Sequence, residues 1–149
     1  MNQERSVAAG AVWFQRWGPI ALWVGIVSLF STAAFSAAET GRVLTPILRW
    51  VWPGIPPATV NLIHVGIRKG MHVAEFGLLA ILWYRGLAWE EQRWQARLAL
   101  AALLLAGSIA AMDEFHQMFV PGRTPAVADV GWDSLGAGLG LAGRRAVRR

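Results

Sequence analysis

The sequence predicts an all-α protein, an integral membrane four-helix bundle with an extracytoplasmic Pro/Trp-rich loop between helices 1 and 2, in a single domain over residues 1–149. Three observations predict it. The chain is 55% hydrophobic and only 15% charged, with nine Trp, and its mean hydropathy of +0.40 is high for a soluble domain of this size. Four long apolar runs are set apart by charged or Pro-rich segments. Two of these runs, at 67–84 and 105–123, carry ionisable residues. A charge near the bilayer midplane costs at least about 2.5 kcal/mol, so such groups face a bundle interior or a polar cavity and mark function.

The first span is read over 18–38, which carries no charge until Glu39 and is long enough for a hydrocarbon core of about 30 Å. A signal peptide is the alternative, since Arg5 and Arg16 precede the run and Ser36, Ala37 and Ala38 resemble a cleavage site; the run is longer than the usual apolar region of about 7–15 residues. Residues 39–59 hold Pro46, Pro53, Pro56 and Pro57, which one regular helix cannot accommodate, so a loop is expected. Within it Leu44, Ile47, Leu48 and Val51 fall at helical spacing beside Trp50 and Trp52, which suits a short helix at the headgroup boundary. The second span is read over 60–84, the third over 96–119 and the fourth over 125–143, with a charged linker at 85–97. Pro121 and Gly122 end the third span, which needs its acidic motif to reach across the membrane.

Charge orients this bundle. With a cytoplasmic N-terminus the inside carries Arg5, Arg16, Arg85, Arg93, Arg97, Arg144, Arg145, Arg148 and Arg149, and the outside Arg42, Arg49 and Arg123. That bias predicts a multi-pass membrane protein with both termini cytoplasmic. The net charge of +5 does not point to nucleic acid, because the basic residues are scattered between apolar segments and cluster only at the C-terminus. The chain has no Cys, so thiol nucleophiles and thiolate metal sites are excluded, and oxygen and imidazole ligands remain.

The chemistry lies in three spans. At roughly 100° per residue, Asn61, His64, Arg68, His72 and Glu75 form one polar stripe about 80° wide on span two, with Lys69 to its side. An intrahelical Arg68–Glu75 pair with snorkelling ends is the plain structural reading. Span three ends in Asp113, Glu114, His116 and Gln117. Two carboxylates beside an imidazole suit a general acid/base set, or ligands for a divalent metal; the metal candidates are Asp113, Glu114, His116, Asp129 and Asp133. Span four presents Asp129 and Asp133 on one face, continued by Gly136 and Gly140, which permit close helix approach. The aspartates need partners, and Arg68, Lys69 and Arg123 are the cations at that depth.

Taken in order, Arg68 and Lys69 followed by His72, Glu75 and Phe76, then Asp113, Glu114, His116, Gln117, Phe119, Pro121 and Arg123, then Asp129 and Gly136, resemble the VanZ-like family of small bacterial membrane proteins. The likeness covers about 28–140. Phe76 stands where Tyr is usual, removing a hydroxyl, and Asp133 where Asn is usual, adding a charge or metal ligand. The resemblance implies a four-helix integral membrane protein, in a family named for low-level resistance to the lipidated glycopeptide teicoplanin. It implies no particular reaction.

Three functions compete. The first is an intramembrane enzyme acting on a lipid-linked or amphiphilic substrate at the outer leaflet. Asp113, Glu114, His116, His72 and Glu75 would be its catalytic residues, and Arg68, Lys69, Gln117, Arg123 and Asp129 would bind substrate. The second is a non-catalytic membrane factor that binds an envelope lipid, a lipoglycopeptide or a partner protein through the same basic residues. The third is a small proton-coupled transporter, for which the sequence offers no internal repeat and no pair of broken spans.

Overall fold

Helix formation follows the apolar runs closely at three of the four expected spans. The computed structural model describes the backbone of residues 2–147 and the side chains of 10–147; Arg148, Arg149 and the side chain of Arg5, all used in the charge bias, lie outside the described residues. Five α-helices appear, α1 (Asn2–Phe30), α2 (Ala37–Val51), α3 (Pro57–Leu87), α4 (Ala96–Gln117) and α5 (Val127–Val147), with a short 3-10 turn at Ala33–Phe35 and no strand among the described residues.

Two expectations are corrected at the first connection. The apolar run 18–38 is not one helix: α1 stops at Phe30 and the next helical segment leaves at 69°. Hydroxyls break it, since Ser31 Oγ donates to the Val27 carbonyl at 3.1 Å and Thr32 Oγ1 to the Leu29 carbonyl at 2.8 Å, local bonds that compete with helix continuation. The Pro-rich stretch expected as a loop with a short helix near 43–52 is helical from further back, as α2. Ser36 caps it by accepting from the Glu39 amide, and Glu39 sits in its first turn, a favourable N-terminus. Pro46 lies inside this helix. The position its ring deprives of a hydrogen bond is the carbonyl of Arg42, an exposed residue whose carbonyl can turn to solvent. The remaining prolines behave as expected, with Pro53 in the turn, Pro56 as N-cap and Pro57 opening α3.

α3 packs most extensively on α5, and α4 on both. The contact between α3 and α5 is built from absent side chains: a Cβ on Gly136 would lie 2.7 Å from Val73 Cα, and one on Gly140 would lie 2.8 Å from Gly77 Cα. α4 offers a matching stripe, with Ala102, Ala106 and Ala110 all fully buried. Phe76, Leu79, Tyr84 and Leu141 are buried beside these small residues, while many other large apolar side chains point the other way. Leu62, Met71, Leu104, Met112, Phe115, Leu135 and Leu139 are all exposed. Among the described residues only α4 is by itself long and apolar enough to cross a membrane; Gly10–Phe30 and Ala33–Val51 pass that test together as a bent pair. The polar residues of α3 and α5 are what separate those helices from it.

At the loop after α4, Gly122 has φ of 78°, a left-handed conformation that costs glycine least. The turn it completes brings Arg123 back over the end of α1.

Candidate functional site

The C-terminal ends of α1 and α4 and the N-terminal halves of α3 and α5 lie at one end of the bundle, where a cleft is lined by Phe30, Phe35, Thr40, Arg68, Met71, His72, Glu75, Gln117 and Arg123, with Ser31. Its free volume of about 50 Å³ holds a water or two. Of the expected site residues, the structure therefore gathers Arg68, His72, Glu75, Gln117 and Arg123.

Behind the cleft stands Asp133, 0% exposed, whose Oδ1 lies 3.1 Å from His72 Nδ1. A buried carboxylate needs such a partner. Because a carboxylate only accepts, Nδ1 carries the proton, and Nε2 is left as the proton acceptor of the neutral ring. The other carboxylate oxygen of Asp133 has no hydrogen-bond partner among the described residues. Asp129 is paired separately, with Lys69 Nζ, which takes Lys69 out of the cleft.

The expected acid/base trio on α4 is divided. Asp113 and Glu114 are buried; Gln117 donates to Asp113 Oδ2 at 2.7 Å, and Glu114 Oε2 accepts from the Ala126 amide at 2.8 Å. His116 is exposed and lines a different groove, with Val24, Val27, Ser28, Met112 and the edge of Asp113, while Glu114 turns away to Ala126. The reason is helical register: the buried stripe of α4 continues from Ala110 through Asp113 and Gln117, and His116 falls beside it. Nor are the five metal candidates drawn together, since Asp129 turns to Lys69, Asp133 to His72 and His116 outward; among the described residues no three His, Asp or Glu side chains form a group able to hold a metal ion.

Arg123 acts on backbone. Its Nε donates to the Thr32 carbonyl at 3.3 Å and its Nη2 to the same carbonyl at 3.0 Å and to that of Phe30. The Phe30 carbonyl is one that the end of α1 leaves without a helical partner, and that of Thr32 is shared with the Phe35 amide at 3.2 Å. Burial, and then the neighbouring Arg68, hold the Arg123 guanidinium below its ordinary pKa. Arg68 Nη1 donates to the Phe35 carbonyl at 3.1 Å. Thr40, on α2, meets His64 Nε2 at 2.8 Å. Sequence reasoning missed Phe30, Phe35 and Thr40 as cleft walls; only the hydroxyl cluster at 31–36 hinted at the break that places them there.

Residues 14–147 match the family model described as VanZ/LLP1. The chain belongs to that family. No curated protein and no solved structure matches it. The VanZ/LLP1 match takes in every residue of the cleft, from Phe30 to Arg123, together with Asp129 and Asp133 behind it.

Glu114 yields a first prediction. Its carboxylate fixes the amide of Ala126, just before α5, so Glu114→Ala strands a donor and should destabilise the VanZ/LLP1 bundle by about 1–3 kcal/mol. Glu114→Gln keeps an acceptor there and should recover most of that loss. Thermal unfolding of the two variants in mild detergent checks this; equal loss in both would show that the charge, not the hydrogen bond, is what matters.

Proposed function

We propose that this VanZ/LLP1 chain is a multi-pass protein of the bacterial cytoplasmic membrane, with both termini inside. Its cleft opens to the extracytoplasmic face, takes the anionic head of a lipid-linked or amphiphilic envelope molecule, and uses His72, oriented by Asp133, to transfer a proton. Four helices, α1, α3, α4 and α5, cross the membrane, and α2 lies at the outer boundary. What supports the membrane reading is the small-residue contact of Gly136, Gly140, Ala102, Ala106 and Ala110 between helices, with many large apolar side chains facing outward, because lipid leaves close packing of small residues as the main source of helix association. A soluble monomer rarely exposes so much contiguous apolar surface. The nine-to-three distribution of Arg adds the orientation.

The observation that carries the chemistry is the His72–Asp133 pair set beside Arg68 and Glu75. An imidazole held in one tautomer by a carboxylate is a general base ready for use, and a guanidinium alongside suits a phosphate or carboxylate. The cleft is too small for a headgroup as it stands. α2 is the wall able to give way: it contains no buried residue, and its Thr40 bond to His64 is its side-chain hydrogen bond to α3, so it belongs to the low-stability end of the fold.

A second reading, a non-catalytic factor that binds an envelope lipid or lipoglycopeptide, is favoured by one observation. Arg68 and Arg123 both already donate to backbone carbonyls, as residues of a binding frame do. Membranes carrying the wild-type chain or His72→Gln, compared by lipid mass spectrometry, separate the two. An altered lipid that disappears with His72→Gln at unchanged protein abundance supports the enzyme. Retained lipid binding with no product in either sample supports the binder, and neither product nor binding overturns both. The family's link to teicoplanin makes sensitivity to a lipoglycopeptide, beside its non-lipidated relative, the matching cell assay.

A further inference from the structure

The opposite end of the bundle is built from arginines and aromatic rings. Among the described residues four guanidiniums lie over rings, and all four are here: Arg16 over Trp17 at 4.7 Å, Arg85 over Trp89 at 4.8 Å, Arg144 over Tyr84 at 5.1 Å and Arg145 over Trp94 at 5.9 Å. Tyr84 and Trp94 are themselves stacked at 4.4 Å, and the Tyr84 hydroxyl accepts from the Gln95 amide at 2.9 Å. Around that stack, where α3 ends, α4 begins and α5 ends, is a cavity of about 390 Å³ lined by Tyr84, Trp94, Arg93, Arg144 and Arg145, with Glu91 as its one acidic residue. Glu91 accepts from Gln95 at 3.3 Å.

We infer that this cavity is a binding site for the phosphate headgroup of an anionic phospholipid of the inner leaflet. Among the described lining residues three arginines stand against one glutamate, and Arg93 and Arg145 alone outweigh it. A guanidinium stacked through its flat face keeps its N–H donors in the plane, where they meet phosphate oxygens. The volume falls within the range of small-molecule sites, unlike the cleft at the other end. Trp and Tyr beside the arginines place the site at headgroup depth, and basic pockets between helices on the cytoplasmic side favour anionic headgroups. The inference rests on the membrane orientation proposed above and is independent of the cleft and of what His72 does.

The test uses full-length protein in mild detergent, with thermal unfolding followed as phosphatidylglycerol, phosphatidylcholine or inorganic phosphate is added. Phosphatidylglycerol is expected to raise the midpoint by several degrees, phosphatidylcholine and inorganic phosphate to leave it near the starting value, and the double variant Arg93→Gln/Arg145→Gln to lose the response. Arg42→Gln, at the other end, should keep it. A response to inorganic phosphate alone would mean an anion site and not a lipid site, and equal responses to the two lipids, or a response that survives in the double variant, would overturn the proposal. Failure of the membrane reading is distinguished beforehand, because the chain would then leave the membrane fraction on carbonate extraction.

Discussion

Gly136→Val is expected to remove the folded protein from the membrane fraction. The added atoms would fall on the backbone of Val73, with Cα at 2.7 Å from the new Cβ alone, and backbone cannot rotate away as a side chain would. Overpacking costs about 1–3 kcal/mol where neighbours can adjust; here α3 and α5 must separate, which opens the most extensive contact in the bundle. Gly138, on the same helix, has nothing within 4 Å of its would-be Cβ. Gly138→Val should accumulate normally, so abundance and monodispersity of the two variants side by side separate close packing from a general intolerance of α5 to valine. Equal accumulation of both would contradict the described α3–α5 contact.

The second large effect is at Asp133. Asp133→Ala leaves the half-buried His72 Nδ1–H without its acceptor and empties a fully buried position, and should cost about 1–3 kcal/mol for the stranded donor on top of the cavity it opens. Asp133→Asn keeps a carbonyl oxygen for the same bond. Since the role proposed for Asp133 is to orient the imidazole, Asp133→Asn should retain both abundance and cell phenotype, whereas His72→Gln should retain abundance and lose the phenotype. Loss of phenotype in Asp133→Asn at normal abundance would show that the negative charge itself is needed and would overturn the orienting role.

The all-helical architecture and the matched family were legible because hydrophobic runs and the residues from Arg68 to Gly136 are local signals that a single chain displays. The polar stripe of α3 was legible for the same reason: helical spacing alone aligns Arg68, His72 and Glu75, and the structure sets them on one cleft. Partners were harder. Lys69 with Asp129 and His72 with Asp133 depend on how far α5 slides along α3, which Gly136 and Gly140 settle in three dimensions. His116 looked like part of one set with Asp113 and Glu114; it shares a groove with Asp113 alone, outside the cleft, and Glu114 is taken up by the Ala126 amide. The break after Phe30 was the least legible, because its cause is partly Arg123, some ninety residues away, donating to the carbonyls that the break exposes.

Both proposed sites require one orientation, with the polar cleft outside and the arginine-rich end inside. The chain has no Cys, so single cysteines can be labelled without background. Gly54→Cys, between α2 and α3, and Ala146→Cys, at the end of α5, should be treated in intact cells with a membrane-impermeant maleimide, then again after permeabilisation. The account predicts labelling of Gly54→Cys in intact cells and of Ala146→Cys only after permeabilisation. Labelling in the reverse order, or of both positions from outside, would contradict it.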